Sequence, residues 1–259
     1  MGRTKFKLAS GPFSYLGEVT IDLELKAKHY DALVAANEDD YERAVLGALK
    51  DLMDEDPFQL TMQELYHVWL YVKVTSLGSK ISTNVRCKHI VREKSSVGER
   101  ECGTLNTIDY SLLESDIVYA PVNFEIPEIT FTYGGREQVF EVRPPTVNQE
   151  LDLFAYFQER GISKDSLMKD KTHTLEYAKH RILLHLKNKE TGDRFFDRRQ
   201  RELAIEDLAN NPLSFIKRAN DLIEKVNSFG VSHHRMHITC KECGGKLSFR
   251  LPLQAGLSM

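Results

Sequence analysis

From Glu18 to Lys26 apolar and polar residues alternate, placing Val19, Ile21, Leu23 and Leu25 on one side of a predicted strand. The period then lengthens. Ala44, Val45, Ala48, Leu49 and Leu52 recur at helical spacing between Asp39 and Met53, and Pro57 closes that region. Thr61 with Glu64 forms a capping box, so a second helix should open there and present Leu65, Val68, Trp69, Val72 and Leu77. Alternation returns in Lys80–Arg86 and again from Thr104 to Leu112, predicting two short strands. Between Glu125 and Arg143, Ile129, Phe131 and Tyr133 face Val139, Phe140 and Val142 across Gly134-Gly135, which is the pattern of a hairpin with a positive-φ turn. No lysine-serine or lysine-threonine pair follows those glycines, so they are not a phosphate loop.

Pro144-Pro145 marks the change from strand to helix patterning. Thr146 with Gln149 opens a helix carrying Leu151, Phe154 and Phe157, which stops near Gly161. Leu175, Ala178, Ile182 and Leu186 make a second stripe. Asn211-Pro212 starts a third helix, showing Phe215, Ala219, Leu222, Ile223 and Val226 and ending at Gly230. Met236–Thr239 and Lys246–Leu251 then form a last hairpin. The pattern predicts an α+β protein in three parts. Residues 1–145 form an N-terminal α/β half, 146–230 a helical region, and 231–259 a hairpin that packs back on the first half.

Candidate chemistry lies in the cysteines. Cys240-Lys241-Glu242-Cys243-Gly244 has the spacing of a metal knuckle, with glycine letting the chain fold under the sulfurs. The only other cysteines, Cys87 and Cys102, repeat the Cys-Gly step at Cys102-Gly103 but have fourteen residues between them. We read Ile90 to Arg100 as a charged loop inserted into an otherwise ordinary knuckle. Cys87, Cys102, Cys240 and Cys243 together would complete a tetrahedral zinc site, and a closed shell of four thiolates makes such a metal structural. His89 and His237 are alternative ligands.

Composition narrows the remaining choices. With 259 residues, 41% hydrophobic and 28% charged, the chain can bury a sizeable core. No stretch approaches the roughly 20 apolar residues that span a bilayer, and the N-terminus lacks the apolar run of a signal peptide. A net charge of −3 gives no global attraction for nucleic acid. No nucleophile elbow, metal-protease helix, Walker motif or dinucleotide fingerprint occurs, so neither an enzyme nor a small-molecule substrate is expected.

The order of these features resembles the T-even-type baseplate hub and baseplate assembly proteins of contractile-tail phages. The resemblance rests on Tyr66 to Gly78 (YHVWLYVKVTSLG) ahead of the first cysteine pair, on Arg143-Pro144-Pro145-Thr146 opening the helices, and on Cys240-Lys241-Glu242-Cys243-Gly244 near the end. It runs from about Glu18 to Leu253 and departs from the family in the split first pair and in the Gly256-Leu257-Ser258-Met259 tail. It implies a structural subunit or assembly factor of the baseplate, in the host cytoplasm during assembly and in the virion tail afterwards. The implied partners are other tail and baseplate proteins, the tape-measure protein among them. For their contacts the sequence offers Phe131 and Tyr133 on the hairpin, and the Phe195-Phe196 pair set among basic residues. The rival reading is a zinc-ribbon nucleic-acid-binding or transcription-associated protein, for which Lys241, Lys246 and Arg250 lie near the second pair.

Overall fold

The computed structural model describes residues 3–36, 40–78, 80–92, 99–111, 117–163, 166–167, 170–195, 197–231 and 236–249. Along these, strands β1 (Thr4–Lys7) and β2 (Glu18–Ile21) precede helices α1 (Ala27–Ala35), α2 (Tyr41–Leu52) and α3 (Met62–Leu77). Strands β3 (Lys80–Arg86), β4 (Ile90–Arg92), β5 (Glu99–Glu101), β6 (Leu105–Ser111), β7 (Ile117–Val118), β8 (Glu128–Tyr133) and β9 (Arg136–Val142) follow. Then come α4 (Val147–Glu159), α5 (Lys171–His185), β10 (Leu186–Asn188), α6 (Arg198–Asn210), α7 (Leu213–Val226), β11 (Gly230–Val231), β12 (Met236–Thr239) and β13 (Lys246–Phe249). The strands make small antiparallel sheets: β10-β9-β8, and the pairs β1-β2, β3-β6, β4-β5, β7-β11 and β12-β13. The mixed helix and strand content expected from the patterning is present.

Local chemistry explains where the helices start. The Thr61 N–H donates to Glu64 Oε2 at 2.9 Å and the Glu64 N–H donates to Thr61 Oγ1 at 3.3 Å, so two of the four free donors at the start of α3 find partners. At α4 the Thr146 N–H donates to the Gln149 side chain at 2.8 Å. Asp170 and Asp197, which the patterning did not single out, cap α5 and α6 by accepting from Thr172 and Gln200. Asn211 closes α6 rather than opening α7, which begins directly after Pro212.

Two large cores result. The first gathers β1, β2, α2 and α3 around Trp69, with Phe6, Val19, Leu46, Leu49, Val68 and, from α4, Val147. The second joins Ile129, Phe131, Phe140 and Val142 of the hairpin to Ile182, Leu186, Ala204, Leu208, Phe215 and Ile223. The hairpin assigned to the N-terminal part therefore packs on the helices that follow Pro144-Pro145. Turn chemistry marks where the chain changes direction, and burial of the hairpin's apolar face decides which core it joins. Leu175 of the α5 stripe is 59% exposed, while Leu186 leaves the helix and starts β10 beside Val142.

Besides His29, three histidines are buried: His67, His180 and His185. Burial lowers the pKa of His67 and His180 from 6.5 to about 4, and that of His185 to about 3. His185 Nδ1 meets the Arg181 carbonyl at 2.8 Å and its Nε2 meets the Asn227 amide at 3.1 Å, an arrangement that suits the neutral ring. The unfolded chain protonates at each histidine near 6.5, whereas the folded chain resists until about 4 or below. Stability should therefore fall as pH drops through that window, by up to about 1.4 kcal/mol per pH unit for each histidine. Glu64, fully buried, and the half-buried Glu150 have carboxyls raised by desolvation; they bind protons earlier when folded and offset part of the loss. Denaturant midpoints measured across this range should decline steadily, and a flat profile would show that the imidazoles are solvated in the folded chain.

Candidate metal centre

The first cysteine pair sits in one long hairpin. Lys80 to Arg86 lie opposite Ser111 to Leu105, and Ile90 to Arg92 lie opposite Glu101 to Glu99, so both ladders keep the same register. Between them the Cys87 N–H donates to the Thr104 carbonyl (2.9 Å), the Gly103 N–H to the Cys87 carbonyl (3.0 Å) and the Cys102 N–H to the His89 carbonyl (2.8 Å). The inserted segment is thus not simply a loop. Its described ends form a ribbon that carries the ladder past the cysteines, which is how ligands with fourteen residues between them in sequence become neighbours.

The second pair turns the β12-β13 hairpin. The Cys240 N–H donates to the Gly245 carbonyl at 2.9 Å and the Gly244 N–H to the Cys240 carbonyl at 3.0 Å, with Gly244 at φ +69°. Gly103 holds the same angle in the first knuckle. A side chain at either position would be strained, which accounts for the repeated Cys-Gly step. Gly245 is needed for space instead: a Cβ there would lie 2.7 Å from His89 Cγ, where the two knuckles press together.

All four sulfurs lie within 4.8 Å of one another. Cys87 and Cys243 are 3.6 Å apart, and Cys102 and Cys240 are 3.9 Å apart. Four thiolates about 2.3 Å from one tetrahedral ion stand about 3.8 Å from each other, so these two pairs have the spacing that a metal requires, within a cluster no wider than 4.8 Å. Cys87 and Cys240 are buried, and Cys102 and Cys243 are half-buried. The surroundings favour charged sulfur at Cys240 and Cys102, whereas the Cys87 and Cys243 thiols are held up. Main-chain N–H groups of Cys243 and Glu242 bring the Cys240 thiol down to about 6, and the Thr104 hydroxyl and N–H lower that of Cys102. Burial pushes Cys87 up to about 12, so its proton leaves readily only when a cation takes its place. The four cysteines can hold a metal ion, and an S₄ donor set suits zinc or iron.

The other expected site residues fall elsewhere. Phe131 and Phe195 are 0% and 5% exposed and meet Phe140 and Phe215 in the second core. Tyr133 is half-buried with its ring 5.0 Å from Phe195. The hairpin edge is also occupied: the Thr132 N–H and carbonyl pair with the Asn211 side chain at 3.4 Å, and the Gly134 N–H donates to Asp207 at 2.9 Å. The expectation that Phe131 and Phe195 present a face to partners is therefore corrected, because their own core takes that face. Phe196 and Arg250 lie outside the described residues, and the side chain of His237 is not described. His89 packs its ring against Gly245.

Sequence reasoning missed Asn106 and Thr104, which lean on the sulfurs from β6 and the residue before it. Thr104 Oγ1 lies 3.2 Å from Cys102 Sγ, and Asn106 Nδ2 lies 3.6 Å from Cys240 Sγ. Neither has a spacing rule that would have marked it. A cleft of about 510 Å³ also opens beside α2, α4 and α6, lined by Glu42, Gln149, Asp152, Gln158 and Arg201. The Asp152 carboxylate there is engaged by Arg198 at 3.0 Å and Arg201 at 2.9 Å, as an ion pair holding α4 to α6. No helix among the described residues is long and apolar enough to cross a membrane. No protein-family model matches the chain, and neither does any curated protein or solved structure.

Proposed function

We propose that this chain is a structural subunit or assembly factor of a contractile phage tail baseplate, and that it acts through protein–protein contacts with one structural zinc ion. The observation that carries the zinc reading is the cluster of four cysteines within 4.8 Å at the junction of two hairpins. Four protein thiolates fill a tetrahedral shell and leave no position for substrate or water, so the metal's work is to hold the hairpins together. The baseplate assignment is supported by the resemblance carried by Tyr66 to Gly78, Arg143 to Thr146 and Cys240 to Gly244.

The rival nucleic-acid reading draws on exposed Arg86, Lys88, Arg100, Lys241 and Lys246 around the knuckles. Exposed Glu99, Glu101 and Glu242 share that surface and weaken its pull on phosphate.

Two measurements test the proposal together. Mass spectrometry of purified tails and of tail-assembly intermediates should find the chain in one or both, and metal analysis of the isolated protein should find about one zinc per chain. Absence from both particle types would overturn the baseplate role. Iron in place of zinc would overturn the structural-zinc reading, and salt-sensitive binding to nucleic acid would favour the rival.

A further inference from the structure

We infer that Asn106 is a positioning residue for the metal, tying the second knuckle to the first hairpin by an amide hydrogen bond to the Cys240 thiolate. The inference rests on the metal reading above and extends it to a residue outside the ligand set. Asn106 is 5% exposed and sits on β6, while Cys240 and Lys241 belong to the other hairpin. Its Nδ2 donates to Cys240 Sγ at 3.6 Å and to the Thr104 carbonyl at 3.1 Å. Its Oδ1 accepts from the Lys241 N–H at 3.0 Å.

These partners fix which way the amide points. Turned over, it would aim its oxygen at a thiolate and a carbonyl, and its NH₂ group at an N–H. One side chain thus grips a ligand sulfur, the main chain beside that ligand and the main chain of its own hairpin. Among the described strands the hairpins share no sheet, so the bridge supplies a fixed geometry that strand pairing does not.

The bond to sulfur also has an electrostatic role. Four thiolates around a divalent cation leave a net charge of about −2 in a largely buried place. Main-chain N–H groups disperse part of it, including that of Gly245, which donates to Cys243 Sγ at 3.4 Å. Asn106 adds a side-chain donor to the same cluster, and hydrogen bonds to an ionised acceptor are about twice as strong as neutral ones. Partners that orient metal ligands in this way typically contribute about 10–100-fold in metal affinity.

The test compares Asn106→Leu, which removes every hydrogen bond, with Asn106→Asp. The aspartate keeps an acceptor for Lys241 but donates nothing to sulfur and adds negative charge. Chelator competition should show zinc bound about 10–100-fold more weakly by Asn106→Leu, and more weakly still by Asn106→Asp. In cobalt(II)-substituted protein the sulfur-to-cobalt charge-transfer band should move to longer wavelength in both variants, because an unbonded thiolate gives up its electrons more easily. Thr107→Ala on the same strand, where Thr107 is exposed and donates to Asn84, should leave affinity and band unchanged. Variants with parental affinity and an unmoved band would overturn the assignment. Should neither variant fold, NMR of the cadmium-substituted parent decides: scalar coupling from cadmium to the Asn106 amide protons is expected. Coupling to the Gly245 N–H without coupling to Asn106 would overturn it. A parent chain that binds no metal would instead overturn the metal reading itself.

Discussion

Replacing Cys240 with serine should abolish stoichiometric metal binding and unfold the two cysteine hairpins while leaving the rest of the chain folded. The reason lies in how little else holds them. Around the cysteines the buried cluster contains Leu247, with Val85 and Ile238 packed partly against it, and the hairpins are separate two-stranded sheets. An isolated two-stranded hairpin is at best marginally stable in water. Structural zinc in small domains supplies about 10–16 kcal/mol of apparent binding free energy at neutral pH, and that energy becomes folding free energy when the site exists only in the folded chain. Loss of the ion should therefore exceed the effect of any single core truncation, yet remain local. Trp69, the chain's only tryptophan, lies in the first core and reports on it separately. Metal analysis should fall from about one ion per chain to none. Hydrogen exchange should accelerate at the Lys80–Arg86 and Met236–Thr239 amides, while Trp69 fluorescence stays near that of the parent. A chelator should reproduce the pattern in the unmutated chain. If the metal leaves and the ladder amides keep their protection, the cysteines do not hold this module together.

The ligand set was legible because chemistry left few alternatives: four cysteines, two of them three positions apart, each pair followed once by glycine. The ribbon between Cys87 and Cys102 was harder to see. Ile90 to Arg92 and Glu99 to Glu101 are short; Ile90 and Glu99 to Glu101 are exposed and Val91 is half-buried, so they show no alternating burial to read. Helices with strong patterns or paired caps, such as that beginning after Thr61, could be placed from the sequence. The helix Arg198–Asn210 could not, because its arginines and glutamates resemble a solvated basic patch. Arg201 is in fact 1% exposed, held by Asp152 and the Phe195 carbonyl. A charged residue gives no hint of burial when its partner lies some fifty positions away. The same blindness affected Phe195, whose pair with Phe196 is flanked by charged residues in sequence and whose neighbours in space are aromatic.

Replacing Phe131 with alanine should destabilise the whole helical core rather than weaken a partner contact. The Phe131 side chain is fully buried, and its ring lies 5.7 Å from Phe140, 6.2 Å from Phe195 and 5.5 Å from Phe215. Phe215 belongs to α7, on the far side of Pro144-Pro145, so the loss is shared by the hairpin and the helices packed on it. Truncating a buried phenylalanine removes its transfer free energy and leaves a cavity, together about 3–5 kcal/mol. That is a large share of the roughly 5–15 kcal/mol that holds a typical protein folded. Val139 supplies the control: it lies on the adjacent strand of the same hairpin but is 42% exposed. Val139→Ala should change stability by no more than about 0.5 kcal/mol, as surface substitutions usually do. Denaturant titration of the three proteins separates the readings. A core residue gives a large drop for Phe131→Ala and almost none for Val139→Ala. A residue kept for partners gives a variant that is as stable as the parent and defective only in assembly. Parental stability of Phe131→Ala would return the hairpin's aromatic face to the surface and overturn the packing described here.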